Sequence, residues 1–319
     1  MQPITYRIPM RVRFRGIDTR YGMVWQGPAG WAEWSPFLDY DGAELVPWLR
    51  AADESANVGW PKPVRDRIEV NATVPAVGPE RARAIAAGSG CRTAKVKVAE
   101  AGQTLADDLA RVEAVRDALG PAGRIRVDAN GGWSVAAAGA ALRELDRFGL
   151  EYAEQPCRTV EELAELRRSL RGTGILIAAD ESIRRAEDPY RVVELAAADI
   201  AVLKVQPLGG VRAALEIAER IGLPVVVSSA LETSLGIRAG VALAAALPEL
   251  PYACGLNTVP LLGDDLVPES LVAEGGWLPV SDLKPEPGRL DRLAAAPEEH
   301  AFWQARLMQT RLLDRENSR

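Results

Sequence analysis

Histidine is almost absent from this sequence, which contains only His300 in 319 residues. A Ser-His-Asp hydrolase and a histidine-ligated zinc site both need histidines that the chain lacks, and His300 itself lies in a late, charged segment of helical character. Both classes of site are therefore excluded. Any acid–base chemistry has to use lysine, aspartate, glutamate, tyrosine or cysteine.

Cysteine and long apolar runs are also scarce. The three cysteines, Cys91, Cys157 and Cys254, have no paired spacing and lie near predicted strands, which favours buried thiols in a reducing cytoplasm. No apolar run approaches the roughly 20 residues of a membrane span, and the N-terminal segment lacks the apolar stretch of a secretion signal. We expect a cytoplasmic protein without a membrane partner.

The net charge of −6 comes from acidic and basic residues that are interspersed along the chain. This pattern argues against a nucleic-acid-binding surface. A small molecule is the expected partner. The sequence leaves the choice between monomer and homo-oligomer open.

Acidic residues recur at a regular interval in the central part of the chain. Asp128, Glu154 and Asp180 each close a short apolar run and follow one another at intervals of 26 residues. Lys204 and Ser228 continue the series at intervals of 24. Polar residues that return once per strand–helix unit, at the C-terminal end of each strand, indicate the mouth of a parallel barrel. A single acid before a Gly turn would more commonly be a turn or cap residue.

Eight short strand-like runs alternate with runs of helical period, which predicts βαβ units. The strands are expected at residues 68–74, 94–98, 124–128, 151–154, 175–179, 200–204, 224–228 and 252–255. An open doubly wound sheet would more commonly carry a G-x-G-x-x-G turn after its first strand, and the chain has none there. We therefore predict an α/β fold, a TIM-type (β/α) barrel over residues 67–281.

The first 66 residues predict a small α+β capping domain, against which residues 282–319 pack back. Its elements are expected to be an edge strand at 4–15, a polar loop at Gly16–Gly22, a hairpin at 23–34 and a helix at 41–56. Residues 298–315 are expected to form a terminal helix. The polar loop is a candidate for closing over the barrel mouth, although it could equally be a plain surface turn.

Lys95 and Lys97 alternate with Val96 and Val98 in one predicted strand. Side chains two residues apart lie on the same face of a strand, so both ammonium groups point into the barrel and the valines face the helices. Mutual repulsion and burial should then lower the pKa values of the two lysines, which would prepare one of them to act as a base near neutral pH. A solvated edge strand with two exposed lysines is the simpler alternative.

Lys204 lies in an apolar strand, where an unpaired lysine is rare unless it is functional. One interpretation is a Schiff-base lysine. The other starts from the three carboxylates, which would repel one another unless a hard cation lay between them. All-oxygen ligation by Asp128, Glu154 and Asp180 suggests Mg²⁺, with Mn²⁺ as a possible substitute. Two lysines that flank such a metal suit proton abstraction next to a carboxylate.

These motifs resemble the enolase superfamily, in particular its muconate-lactonizing subgroup. The motifs that carry the resemblance are Lys95-Val96-Lys97, Asp128-Ala129-Asn130, Glu154-Gln155-Pro156, Asp180-Glu181-Ser182 and Lys204. Within the subgroup, three further stretches resemble the o-succinylbenzoate synthase family: G-W-A-E-W-S-P at 30–36, V-V-S-S-A-L-E-T-S-L-G at 226–236 and C-G-L-N-T at 254–258. Asn257 and the Trp31–Trp34 stretch depart from other versions of the family.

The resemblance implies a metal-dependent syn dehydration in menaquinone biosynthesis, from 2-succinyl-6-hydroxy-2,4-cyclohexadiene-1-carboxylate to o-succinylbenzoate. It implies Lys97 as base and then acid, Lys204 as the opposing cation, and Mg²⁺ on Asp128, Glu154 and Asp180. The implied substrate-binding and supporting residues are Lys95, Ser228, Ser229 and Gly255, with Arg126, Asn130 and Glu181 in support. For Arg126 a structural salt bridge is an equal alternative.

Two other functions compete with this assignment. N-succinylamino acid racemases and dipeptide epimerases share both lysines and the metal-binding acids, and use the lysines as a two-base pair. The short chain and the serine-rich motif of the seventh strand favour the dehydratase. A catalytically silent barrel that serves as a binding or scaffold protein would be expected to have lost one lysine or acid, and none is lost.

Overall fold

The computed structural model describes residues 2–185 and 188–317. The strands are β1 Ile4–Phe14, β2 Ile17–Gln26, β3 Trp31–Trp34, β4 Arg67–Glu69, β5 Ala72–Val74, β6 Thr93–Lys97, β7 Arg124–Asp128, β8 Leu150–Glu154, β9 Ile177–Ala179, β10 Ile200–Leu203, β11 Val225–Val227 and β12 Trp277–Pro279. The α-helices are α1 Leu45–Asn57, α2 Pro79–Gly88, α3 Leu105–Leu119, α4 Val135–Leu145, α5 Val160–Ser169, α6 Glu181–Arg184, α7 Arg191–Glu194, α8 Val211–Ile221, α9 Ser234–Ala246, α10 Pro287–Arg292 and α11 Pro297–Asn317. None of the helices in this part of the chain combines the length and the apolar character needed to cross a bilayer.

Seven parallel strands curl into a barrel, in the order β11-β10-β9-β8-β7-β6-β5. The predicted eighth strand at 252–255 forms isolated parallel bridges instead of a full strand: Cys254 pairs with Val70, and Gly255 with Ser228. It still occupies the position between the first and last strands, because its backbone bonds to Asn71 on one side and to Val227 on the other. The predicted barrel is confirmed, with this segment as its short closing piece.

The first predicted barrel strand, at 68–74, is divided in two. Its first part, β4, pairs antiparallel with β12, whereas its second part, β5, pairs parallel with β6. Asn71 lies at the break and is fully buried. Because β4 pairs with β12 and β5 pairs with β6, the segments before and after Asn71 do not form one continuous strand.

The prediction of a polar loop at Gly16–Gly22 is wrong. Residues from Ile17 onward belong to β2, which pairs with β1 through Phe14↔Ile17 and Arg7↔Tyr21. The turn is confined to Arg15 and Gly16, which have φ angles of 53° and 77°. Pairing with β1 supplies backbone hydrogen-bond partners to this polar segment, and its polar composition alone does not reveal that. The hairpin between β2 and β3 is confirmed.

The capping elements share a core with the C-terminal helix. Trp34, Trp48 and Met23 lie in one buried cluster with Trp303 and Leu307 of α11. Ala230 and Leu231, from the segment after β11, belong to the same cluster, so the cap also packs on the barrel mouth. The domain bounds at residues 66 and 281 remain predictions, since shared packing crosses them.

Candidate active site

The barrel brings the predicted polar residues to one rim. Lys97, Asp128 and Glu154 are the last residues of β6, β7 and β8, and they are direct neighbours in the register Lys97↔Asp128↔Glu154. Asp180, Lys204 and Ser228 each follow the last residue of β9, β10 and β11. The C-terminal ends of parallel strands meet at one face of a barrel, where active sites of this fold lie.

The two proposed catalytic lysines lie on different sides of this rim. Lys97 is on β6 and Lys204 follows β10, and these strands are four positions apart in the sheet order. Because segment 252–255 fills the eighth position, four positions correspond to opposite sides of the barrel. A molecule bound at the mouth would have one ammonium group on each flank.

The strand alternation predicted for the lysine pair is confirmed. Ala94 and Val96 pack in the cluster that contains Val112 and Val115 of α3. Lys95 and Lys97 point into the barrel and are nine-tenths or more buried. A buried lysine needs an anionic partner or a function, and here the neighbouring strands supply the anions.

Each carboxylate at the rim contacts at least one cation. Lys97 Nζ lies 2.6 Å from Asp128 Oδ2, and Lys95 Nζ lies 2.7 Å from Glu154 Oε1 and 3.3 Å from Asp128 Oδ2. On the far side, Lys204 Nζ lies 2.7 Å from Asp180 Oδ2. Arg184 Nε donates to the other oxygen, Asp180 Oδ1, at 2.9 Å.

The rim charges change the pKa values of the acids in different directions. Burial raises the pKa of Glu154 to about 7, although the ammonium group of Lys95 opposes this shift. Burial also acts to raise the pKa of Asp128, but Lys97 and Lys95 outweigh it and hold the value well below its usual range. The pKa of Asp180 is lowered in the same way, by Arg184 and Lys204.

The pKa expected for the lysine pair is wrong for Lys95. Burial acts to lower its pKa, but the carboxylates of Glu154 and Asp128 outweigh burial and raise it above the usual value. Lysine–lysine repulsion and burial alone would lower the pKa of Lys95, but the acids of the next two strands lie within 3.3 Å of its ammonium group. For Lys204 burial wins: its pKa is lowered, with Asp180 opposing the shift.

A pocket at the rim contains most of the predicted site. Among the predicted residues it is lined by Lys95, Lys97, Asp128, Asn130, Lys204, Ser228, Ser229 and Gly255. Glu154 and Asp180 do not line it and are almost fully buried beneath. Sequence reasoning missed several lining residues, namely Phe14, Arg15, Phe37, Thr73, Ala230, Leu231 and Thr258.

Some of the missed residues had a signal in the sequence and others had none. Thr73 pairs with Lys95 in the register of β5 and β6, so it could have been found from the strand alternation. Phe14 belongs to the cap, and its ring centre lies 5.1 Å from Lys97 Nζ. No local pattern predicts that approach, because it depends on how the cap packs on the barrel.

Three of the predicted substrate-binding residues, Ser228, Ser229 and Gly255, form one wall of the pocket. Ser228 Oγ contacts Gly255 O at 3.4 Å, and Ser229 Oγ lies 2.8 Å from Thr258 Oγ1. A Cβ atom at Gly255 would come within 2.5 Å of Ser228 Oγ. A side chain at position 255 would therefore force the Ser228 side chain to shift.

The residues predicted to be supporting have different surroundings. Asn130 Oδ1 accepts a hydrogen bond from Lys97 Nζ, and its Nδ2 donates to Glu181 Oε1 at 3.2 Å. Arg126 lies deeper in the barrel, where it donates to Glu151 Oε2 at 2.5 Å and to Ala253 O at 2.6 Å. These contacts contain the structural salt bridge that the sequence offered as the alternative for Arg126.

The donor set fits a divalent cation. Glu154 Oε2 is buried and has no hydrogen-bond partner within residues 2–185 and 188–317. The charges of Asp128 and Asp180 both act on Glu154 to raise its pKa, so the three carboxylates are close enough to repel. Each of the three carboxylates points toward a lysine or arginine side chain. Within the described residues, no three or more His, Cys, Asp or Glu side chains are arranged to hold a metal ion. The oxygen chemistry nevertheless matches what Mg²⁺ prefers.

Two family models match the chain: "Enolase C-terminal domain-like" over residues 79–288 and "Enolase N-terminal domain-like" over residues 5–56. The o-succinylbenzoate synthase of Thermobifida fusca is 61% identical over 306 residues, which are 96% of this chain and 95% of that protein. The o-succinylbenzoate synthase of Mycobacterium tuberculosis H37Rv is 55% identical, over 93% of this chain and 89% of that protein.

Solved structures share the fold at lower identity. The muconate lactonizing enzyme of Pseudomonas putida aligns with a TM-score of 0.77 at 22% identity, over 92% of this chain and 98% of that one. The L-Ala-D/L-Glu epimerase of Bacillus subtilis aligns with a TM-score of 0.74 at 24% identity, over 89% and 96%. The solved structures show the shared fold, and the family models and the relatives at 55–61% identity show that the chain belongs to the o-succinylbenzoate synthase family of the enolase superfamily.

Proposed function

We propose that this protein is an o-succinylbenzoate synthase, a lyase that dehydrates 2-succinyl-6-hydroxy-2,4-cyclohexadiene-1-carboxylate to o-succinylbenzoate in menaquinone biosynthesis. The observation that carries the proposal is the pair of buried lysines, Lys97 and Lys204, on opposite sides of a carboxylate-lined barrel mouth. Identity of 61% to a protein named for this reaction supports the choice of substrate.

The carboxylates of Asp128, Glu154 and Asp180 would hold Mg²⁺, or Mn²⁺ in its place. A bound dication would supply positive charge against the negative charge that develops on the substrate carboxylate when the α-proton leaves. Lys95, between Glu154 and Asp128, keeps two of these acids in place and adds a further cation on the same side.

Lys97 handles the protons of the reaction. Its Nζ, in the neutral form, takes the proton from the carbon next to the carboxylate, which breaks the C–H bond. The resulting ammonium group then returns that proton to the departing hydroxyl, which leaves as water while the ring becomes aromatic. Because one lysine serves both steps, hydrogen and hydroxyl leave from the same face. Asp128 and Asn130 fix the direction of Nζ.

Lys204 acts from the opposite flank as a cation. Its contact with Asp180 at 2.7 Å holds the ammonium group at the pocket wall, where it opposes the negative charge of the intermediate. Ser228, Ser229 and Gly255 line the same pocket and would bind the succinyl tail.

The direct test is a dehydration assay with purified protein, Mg²⁺ and the cyclohexadiene substrate, followed by the absorbance of the aromatic product. We expect rapid formation of o-succinylbenzoate. In parallel, an N-succinylamino acid is incubated in D₂O, and α-proton exchange is followed by NMR. Exchange without dehydration would replace this proposal with the two-base racemase, because both lysines also suit that chemistry.

A further inference from the structure

One wall of the pocket is formed by the segment after β11, residues 228–233, which leads into α9. Ala230 and Leu231 line the pocket and are only 3% exposed. Leu231 has a φ of 61°, a left-handed conformation that is uncommon for a branched residue. Such a conformation persists only where surrounding contacts hold it. Within the segment, the N–H of Ala230 donates to Glu232 Oε2 at 2.7 Å and the N–H of Leu231 donates to Ser229 Oγ at 3.4 Å, whereas the carbonyl groups of both residues accept hydrogen bonds from the cap.

Arg20 of β2 is the cap residue that bonds to these two carbonyl groups. The residue is 2% exposed, and its guanidinium group donates to Leu231 O from Nε at 2.9 Å and to Ala230 O from Nη2 at 3.0 Å. The same group donates to Tyr21 O at 3.1 Å and to Ser35 O within the cap. Arg20 therefore ties two consecutive carbonyls of the pocket wall to the antiparallel sheet of the cap.

A second cap residue fixes the far end of the segment. Glu33 of β3 accepts hydrogen bonds from the backbone N–H groups of Thr233 at 3.2 Å and Gly236 at 3.0 Å, and from Thr233 Oγ1. These contacts hold the first turn of α9. With its end at Thr233 fixed, the carbonyls of Ala230 and Leu231 are the part of the wall whose position depends on Arg20.

We propose that Arg20 is a positioning residue, which sets the shape of the pocket wall at Ala230 and Leu231 and so determines how tightly the substrate tail binds. The guanidinium group lies behind the wall: its central carbon is 4.6 Å from the ring centre of Phe37, which itself lines the pocket. Arg20 acts through the backbone that it holds and takes no part in proton transfer.

Arg238 of α9 provides a matched control. It is 4% exposed and also crosses between barrel and cap, with donation to Trp31 O at 3.1 Å. It also donates to Leu235 O, Leu283 O and Asp282, and its central carbon lies 5.2 Å from the ring centre of Trp60. The two arginines thus resemble each other in burial and in bonding to carbonyls of another element, but only Arg20 bonds to the pocket wall.

The test compares Arg20→Met with Arg238→Met in the full-length protein, and its kinetic arm rests on the proposed function. Amide hydrogen exchange of peptides covering residues 228–233 is measured first. We expect exchange there to rise about 10-fold in Arg20→Met and to stay near the wild-type rate in Arg238→Met. In the dehydration assay, Arg20→Met should raise KM about 10-fold with kcat within about 3-fold, the pattern of lost substrate binding.

Chemical rescue of Arg20→Met by free guanidinium adds a measurement that a general loss of stability would not affect. Millimolar guanidinium chloride should lower the KM of Arg20→Met toward the wild-type value and leave Arg238→Met unchanged. If Arg20→Met does not fold, Arg20→Lys is used, which retains the charge but lacks the planar set of donors. The KM of Arg20→Lys should also rise above the wild-type value, by less than the increase expected for Arg20→Met.

Equal changes in exchange and KM for the two arginine variants would overturn the positioning role. A fall in kcat with unchanged KM would overturn it as well. If the wild-type protein shows no dehydration, the proposed function fails, while the exchange contrast at residues 228–233 still decides the role of Arg20.

Discussion

Charged side chains occupy two levels inside the barrel, and they differ in what they can reach. At the upper level, Lys97 and Lys204 line a pocket. At the lower level, Arg126 is fully buried, pairs with Glu151, and lies 4.7 Å and 5.8 Å from the ring centres of Tyr152 and Tyr252. Both levels arise from the same alternation along β7, where Arg126 and Asp128 face the interior.

Incomplete pairing is common to both levels. Within residues 2–185 and 188–317, Arg126 Nη2 and Glu154 Oε2 each lack a hydrogen-bond partner. A buried, partly paired charge is therefore not enough to identify a functional group. What separates the levels is access from the barrel mouth: Lys97 and Lys204 of the upper level line the pocket, whereas Arg126 of the lower level is fully buried.

Removal of divalent cations should have the largest effect on activity, because the proposed metal ligands belong to the upper level. We expect EDTA to abolish dehydration, because the proposed metal ligands are Asp128, Glu154 and Asp180, and we expect Mg²⁺ or Mn²⁺ to restore it. Mg²⁺ should also raise the melting temperature of the EDTA-treated protein by linkage. Activity that is indifferent to the chelator would contradict the metal site.

The next effect is loss of catalysis in the upper lysine variants. Lys97→Ala and Lys204→Ala should each lower kcat at least about 10³-fold, since each removes a group that acts directly on the substrate. Circular dichroism should show an intact fold. Robust turnover by either variant would refute the role given to that lysine.

At the lower level, a substitution should reduce the stability of the protein and leave catalysis almost unchanged. Arg126→Met leaves Glu151 without its close partner at 2.5 Å and should lower the free energy of unfolding by about 3 kcal/mol. The kcat of the folded fraction should change little. Arg124→Met on the same strand is the control, because Arg124 lies 3.6 Å from Glu151 and is half exposed, so about 0.5 kcal/mol is expected from urea denaturation. Equal losses in the two variants would show that the buried contact has no special weight.

The smallest expected effect is a pH dependence from the upper level. Burial raises the pKa of Glu154 to about 7, so between pH 5 and pH 7 the metal-free native state retains a proton that the unfolded chain has released. The free energy of unfolding should therefore fall by about 1–2 kcal/mol from this group as pH rises through that window. The lowered pKa values of Asp128 and Asp180 act at more acidic pH and stay outside the window.

Glu154→Gln tests this dependence because it cannot titrate. In EDTA, urea denaturation at pH 5 and pH 7 should show a smaller decrease for the variant than for the wild type. Parallel pH profiles for the two proteins would mean that Glu154 is not the titrating group.

The sequence by itself determined the repeating barrel units and the residues at their ends. Strand alternation is a local property of the extended backbone, so the inward direction of Lys95 and Lys97 follows from their spacing of two. Short connections between successive strands and helices give parallel neighbours in chain order, which places Asp128, Glu154 and Asp180 side by side.

Only the tertiary structure decided which groups meet across the chain. The segment at 17–22 is a strand because β1 lies beside it, and the contact between Arg20 and Leu231 O joins residues 211 positions apart. The pKa of Lys95 rises because the carboxylates of Asp128 and of Glu154, which is on a strand two positions away, outweigh the effect of burial. Such contacts depend on how distant segments pack, and no local pattern of residue types carries that information.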